Sequence, residues 1–249
     1  AIFAPVAAPY GYEEMDLTNM LSGPSLEHLF GTDELGRDVF SRIIYGGRYS
    51  LSIGLAATAF GAVVGCAIGA ITGYFGGTLD TVLMRFLDIL EAIPGLLLTI
   101  CVSAVLGSGF DKTILALAIT SIPQYVRLLR AQVFSVRDEE YLEAAESISC
   151  SKFRIITRYV LPNSLSPVIV KATMSVAQTI LTAASLSYVG LGVQPPTPEW
   201  GAMLSAGRAY IRSYPHLIMF PGIFIMITVL GLNLFGDGLR DALDPKLKK

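Results

Sequence analysis

Tyr49-Ser50-Leu51-Ser52-Ile53-Gly54-Leu55-Ala56-Ala57-Thr58-Ala59-Phe60-Gly61-Ala62-Val63-Val64-Gly65-Cys66-Ala67-Ile68-Gly69-Ala70-Ile71-Thr72-Gly73-Tyr74-Phe75-Gly76-Gly77-Thr78-Leu79 is a run of 31 residues without one Asp, Glu, Lys or Arg. About 20 such residues carry a helix across the hydrocarbon core of a bilayer. A strand reading fails, because lipid cannot satisfy open backbone groups and the run lacks the period-2 alternation of barrel strands. Within it Gly61, Gly65, Gly69 and Gly73 recur at every fourth position. On a helix that spacing forms one narrow stripe, where glycine lets a second helix approach closely. General glycine enrichment of membrane helices would scatter the residues, so the register marks a packing face.

The same logic extends outward. Further charge-free gaps run over 92–110 (19 residues), 172–198 (27) and 213–236 (24), with a shorter one over 113–126. The last becomes a span if Arg127 and Arg130 lie at its wet end. The sequence therefore predicts an all-α polytopic membrane helix bundle with five spans, near 50–74, 88–107, 113–134, 165–190 and 215–236. Composition agrees. Only 15% of the 249 residues are charged and 53% are hydrophobic, with mean hydropathy +0.58, against about 25% charged for a soluble domain. This excludes a disordered chain, a coiled coil, a collagen and a soluble enzyme. A net charge of −2 and a pI near 5.7 give no footprint for nucleic acid.

The opening residues, Ala1-Ile2-Phe3-Ala4-Pro5-Val6-Ala7-Ala8-Pro9, read like the last turns of another apolar helix, with no basic leader and cleavage site. A first membrane helix preceding residue 1 is expected. Lys and Arg set the orientation. Five spans place Arg85, Arg127, Arg130, Arg137, Lys152, Arg154, Arg158, Arg240, Lys246, Lys248 and Lys249 on one side, and Arg37, Arg42, Arg48, Lys112, Arg208 and Arg212 on the other. The richer side is the cytoplasmic one, so 137–162 and the C-terminus face inward while 10–48 and 191–214 face outward. The organisation expected is 1–48 as a helix end and external segment, 49–240 as the membrane domain with loops 137–162 and 188–214, and 241–249 as a cytoplasmic tail.

Cys66 and Cys101 fall in apolar runs and Cys150 in a loop, which is no disulfide framework. His28 and His216 lie far apart without partners at ligand spacing, so no metal site is expected. Pro94, Pro123 and Pro221 fall inside spans and should bend them. Lys171 lies two to three turns past Pro162, where it either snorkels to the cytoplasmic face or lines a water-filled passage. Gln178 can hydrogen-bond between helices or face that passage. Glu91 and Asp88, near Arg85, read as a charge cluster at a cytoplasmic helix end.

The segment 137–162 is the most specific in the chain. Tyr141, Leu142, Ala145 and Ile148 recur at helical spacing behind an acidic first turn, and Ser149 or Ser151 can end or cap that helix. A second piece runs through Phe153, Ile155, Ile156 and Tyr159 to Pro162. Such a helix-turn-helix can enter a groove on another protein or lie on the lipid surface.

At Glu143-Ala144-Ala145, followed by Leu161-Pro162, the sequence resembles the EAA loop of permease subunits from binding-protein-dependent ABC importers. Three further stretches resemble the dipeptide/oligopeptide/nickel branch, and its C-type permease in particular. They are Gly31-Thr32-Asp33-Glu34-Leu35-Gly36-Arg37-Asp38, Gly190-Leu191-Gly192-Val193-Gln194-Pro195-Pro196-Thr197-Pro198-Glu199-Trp200-Gly201, and Asn233-Leu234-Phe235-Gly236-Asp237-Gly238-Leu239-Arg240-Asp241-Ala242-Leu243-Asp244-Pro245. The resemblance implies the type I importer permease fold in the cell membrane, with six helices per subunit. It implies a second homologous permease, two ATPase subunits that bind ATP and Mg, and an extracytoplasmic binding protein. It assigns Tyr141, Leu142, Glu143, Ala144, Ala145, Ile148, Ser149, Leu161 and Pro162 to ATPase coupling. Where the EAA motif has glycine this chain has Ser149, so a modified turn is expected. The outward segments are where the binding protein should dock, through Gln194, Pro195, Pro196 and Trp200. No Gly-x-x-x-x-Gly-Lys-Ser/Thr occurs, so this subunit is expected to bind no cofactor and to catalyse nothing itself. Peptide is the expected cargo, with nickel or a metal chelate as the alternative. An intramembrane enzyme lacks its nucleophile motif, and a channel or structural subunit leaves the combined motifs unexplained.

Overall fold

The computed structural model describes residues 3–243; Ala1, Ile2, Lys246, Lys248 and Lys249, and most of the expected tail 241–249, lie outside them. Among the described residues every extended element is helical, apart from one isolated bridge between Thr32 and Asp38. The helices are α1 (Ala4–Ala7), α2 (Val39–Phe75), α3 (Gly77–Glu91), α4 (Gly95–Leu106), α5 (Phe110–Val136), α6 (Glu140–Ser147), α7 (Lys152–Ile155), α8 (Leu161–Ser164), α9 (Ser166–Tyr188), α10 (Trp200–Gly207) and α11 (His216–Leu243).

Three of them, α2, α9 and α11, are long and apolar enough to cross a membrane. The expected span at 88–107 is corrected: it is a pair, α3 and α4, bent by 94° at the break between them. Pro94 lies in that break, where its missing N–H and its ring oppose a continuing helix. Helix α5 covers the expected span at 113–134 but is not apolar enough to count with the other three. Arg127 and Arg130 are the reason, and both are committed to ion pairs described below. Pro123 and Pro221 lie inside unbroken helices.

Helix α2 begins well before the expected position 50. The Asp38 carboxylate accepts from Ser41 N–H at 2.7 Å, which caps the third helical residue. Arg42, which reads as a loop charge, is buried on this helix and donates to Tyr12 O at 2.9 Å.

The chain forms two compact units: Ala1–Ala57, Thr99–Leu117 and Val176–Leu232, and Thr58–Leu98, Ala118–Ser175 and Asn233–Lys249. The core of the first comprises Val39, Ile43, Ala184, Trp200, Met203, Leu217 and Ile225. Phe30 extends it by stacking on Phe220 at 3.9 Å between ring centroids. The core of the second comprises Ala70, Tyr125, Leu129, Val133, Leu142, Ala145, Ile155, Ile156, Val160 and Val168.

Within the second unit the glycine stripe of α2 lies against α5. A Cβ at Gly65 would stand 2.5 Å from Tyr125 Cβ, at Gly69 2.6 Å from Val126 O, and at Gly73 2.8 Å from Val133 Cβ. At Gly61 it would collide with the Ser121 hydroxyl. Backbones this close maximise dispersion contact, the attraction that operates where lipid removes the hydrophobic drive. Helix α3 is held to α5 by charge instead. Arg130 Nη2 meets Asp80 Oδ2 at 2.6 Å, and Arg127 reaches Asp88 at 2.6 Å and Glu91 at 2.8 Å. The fork of a guanidinium suits such paired carboxylates.

Candidate functional site

The segment 137–162 folds as a short helix, a tight turn and a second helical stretch. Glu139 is extended (φ −78°, ψ 142°), and its carbonyl accepts from Leu142 N at 2.9 Å, starting α6. Glu140 and Glu143 occupy the first turn, at the end of the helix where the dipole favours anions. Leu142 and Ala145, three residues apart, are buried in the second unit's core. Their burial fixes which face of α6 turns away. That face carries Tyr141, Glu143 and Ala144, and Ile148 just beyond the helix is 74% exposed. Phe153 at the start of the second stretch is 77% exposed. Three apolar side chains standing off a polar loop, rimmed by Glu140 and Glu143, have the composition of a contact surface.

The turn corrects one expectation. Ser149 was expected to modify the glycine-type ending, yet the ending is retained. Ser149 sits at φ 58°, its N–H donates to Glu146 O at 2.9 Å, and Cys150 N–H donates to Ala145 O at 3.1 Å. These two bonds and the left-handed residue between them are the Schellman arrangement. A serine in this conformation costs on the order of 1 kcal/mol that glycine does not. Ser151 then restarts the chain, its hydroxyl accepting from Arg154 N at 3.4 Å.

Pro162 does not terminate the second stretch. Between α7 and α8 the backbone widens into a π turn over Ile156–Val160, and Leu161 N–H donates to Ile156 O, five residues back. The wider turn gives the proline ring room against the preceding carbonyls, where a regular α-helix would clash. Leu161 is half-buried and Pro162 exposed. Two contacts missed by sequence reasoning tie the segment to the end of α2. Tyr74 O–H donates to Glu146 Oε1 at 2.8 Å, and Lys152 Nζ lies 5.6 Å from the Phe75 ring centroid. Partners so distant in sequence leave no local signal.

Other candidate residues fall elsewhere. Lys171 and Gln178 are exposed on α9. Gln194, Pro195 and Pro196 are exposed, with Gln194 Nε2 donating to Gly190 O at 3.1 Å. Trp200 is corrected: expected at a docking surface, it is only 3% exposed, and its indole N–H donates to Ile43 O at 2.9 Å. Its neighbour Glu199 is also buried and caps α10, accepting from Gly201 N at 2.9 Å and Ala202 N at 2.8 Å. Ser50 O–H adds a third donor at 3.2 Å, so the buried carboxylate is satisfied by hydrogen bonds. Among the described residues no cluster of ligating side chains could hold a metal.

Comparison with known proteins agrees with this geometry. Residues 65–249 match the family described as binding-protein-dependent transport system inner membrane component. The dipeptide transport system permease protein DppC of Alkalihalophilus pseudofirmus is 48% identical over 248 residues, spanning 100% of this chain and 82% of that protein. The glutathione transport system permease protein GsiD of Escherichia coli is 49% identical over 249 residues, with the same shares covered. Among solved structures, an inward-facing MetNI methionine ABC transporter aligns with TM-score 0.66 at 18% identity, over 82% of this chain and 97% of that one. An amino acid ABC transporter with histidines aligns with TM-score 0.63 at 16% identity, over 82% and 94%. The fold is that of ABC importer permeases, with its apolar helices in the membrane, and the chain belongs to the family of binding-protein-dependent transport system inner membrane components.

Proposed function

We propose that this chain is the C-type permease subunit of an ATP-driven importer of small peptides, forming half of the translocation pathway beside a second, homologous permease. Two ATPase subunits bind ATP and Mg, and a soluble binding protein delivers cargo from outside. The chain itself is non-catalytic and binds no cofactor. The reading of cargo rests on the names of two relatives near half identity, one a dipeptide and one a glutathione permease; glutathione is itself a tripeptide, and this favours peptide over nickel or a chelated metal. Lys and Arg bias puts 137–162 and the C-terminus in the cytoplasm.

The observation that carries the coupling role is the orientation of α6. Leu142 and Ala145 anchor it in the core while Tyr141, Glu143, Ala144 and Ile148 stand outward. An anchored helix moves with the core behind it, so closure of ATPases gripping the outer face reorients the attached membrane helices as rigid units. Ser149 fixes the exit from the helix, and Leu161 and Pro162 fix the second stretch. Lys171 and Gln178, exposed on α9, are the polar side chains that either line the pathway or, for Lys171, snorkel to the cytoplasmic face and, for Gln178, hydrogen-bond to a neighbouring helix.

The test is Ala144→Arg in the assembled transporter in vesicles. Ala144 is exposed, so arginine leaves the fold intact and obstructs only the partner groove. Peptide uptake should fall at least ten-fold while the subunit still reaches the membrane. Uptake and peptide-stimulated ATP hydrolysis both at wild-type level would refute the assignment.

A further inference from the structure

We infer that residues 10–29, with the Gln194–Pro196 turn, form the docking surface for the soluble binding protein, which meets it with an apolar patch rimmed by lysine and arginine. The inference rests on the importer reading above and specifies where, and with what chemistry, that partner is held.

The surface is pre-shaped. Leu21 N–H donates to Asp33 O and Thr32 N–H to Ser22 O, each at 3.0 Å, and His28 Nδ1 lies 3.0 Å from the buried Asp38 carboxylate. Gly36, at φ 71°, lets the chain close on Asp16, where a Cβ would run into the Asp16 backbone. The buried Arg42 guanidinium donates both to Tyr12 O at 2.9 Å and to Pro196 O at 3.4 Å. One cation therefore fixes the start of the lobe beside the proline turn. A surface fixed in advance loses little entropy on binding.

What this rigid lobe displays is unusual for protein facing water. Leu26 is 99% exposed, and Met15, Leu17, Met20 and Leu29 are each about half exposed or more. Around them stand Glu13, Glu14 and Glu27, all exposed, and Asp16. Residues 3–29 contain no Lys or Arg at all. Exposed apolar groups with a polar rim mark an interaction site, and charge decides the occupant. Elements that lie on lipid are long amphipathic helices rich in Lys and Arg, drawn to anionic headgroups. This lobe has only the three-residue 3₁₀ turn Leu17–Asn19 and four acids, so an anionic bilayer repels it. A protein surface with the opposite rim is attracted, and such complementarity speeds encounter and selects the partner.

The test measures binding of separately purified, peptide-loaded binding protein to the assembled transporter in nanodiscs across a salt series. The triple variant Glu13→Gln, Glu14→Gln, Glu27→Gln should bind roughly ten-fold more weakly at low salt and lose most of its salt dependence. Leu26→Ser should weaken binding roughly ten-fold at every salt concentration. Basal ATP hydrolysis at wild-type level confirms assembly of both variants. Wild-type affinity in both overturns the surface, as does quenching of a Leu26→Trp probe by brominated lipid, which would place the lobe on the bilayer. A wild-type transporter that binds no such protein refutes the importer reading itself, and the inference with it.

Discussion

Replacing Gly65 by alanine adds one methyl group and tests how the bundle is held. The new Cβ would stand 2.5 Å from Tyr125 Cβ, 3.0 Å from Ile122 O and 3.2 Å from Val126 N. Two of those three atoms are backbone, so no rotamer change relieves them. Carbon atoms settle at about 3.5–4.0 Å, so α2 and α5 must separate locally by roughly 1 Å. Every contact along the stripe then loses part of its dispersion well, and overpacking of this kind costs about 1–3 kcal/mol. Gly222 in α11 is the control, because a Cβ there meets nothing within 4 Å. Gly222→Ala should be neutral or stabilising by up to about 1 kcal/mol, since alanine is the better helix former. Both variants are read by reversible unfolding in mixed micelles against denaturing detergent. The reasoning fails if Gly65→Ala is as stable as wild type, or if the two variants shift stability in the same direction by similar amounts.

Two further expectations concern the loops. Ser149→Gly should stabilise the turn after α6 by about 1 kcal/mol, because glycine accepts φ 58° without a Cβ penalty, while Ser149→Val should destabilise it; amide exchange at Ser149 and Cys150 reports both. Glu199→Ala should cost roughly 1–3 kcal/mol by orphaning the N–H groups of Gly201 and Ala202. Glu199→Asp should recover part of that, measured as thermal stability of the subunit in detergent.

The charge gaps in the sequence located α2, α9 and α11 because a missing charge is a local property that lipid enforces. The four-residue glycine repeat was legible for the same reason: helix periodicity turns spacing into direction. The start of α2 was not. Arg42 read as a loop charge, and only its long-range partners, Tyr12 O and Pro196 O, explain how it sits inside a helix. Trp200 misled similarly, since nothing nearby in sequence announces a hydrogen bond to Ile43, far upstream. Pro94 was legible as a bend but not as a 94° break. In the loop 137–162, periodicity located α6 but left open which face is anchored, and the widened turn before Pro162 had no signature.

That widened turn has a consequence for chain length and for the history of the sequence. A π turn is an α-helix carrying one residue too many, so the stretch Ile156–Val160 holds a surplus that the helix accommodates by swelling. Removing a single residue there would return the helix to ordinary pitch. Because the swelling absorbs that residue, the helix on either side would keep nearly its present direction, whereas a deletion from a regular α turn rotates everything upstream by about 100°. The change of count that the helix can accommodate is therefore the loss of one residue inside the swelling itself. Single-residue deletions within 156–160 should be far less damaging than single-residue deletions within α6 or α9, where no surplus residue takes up the change.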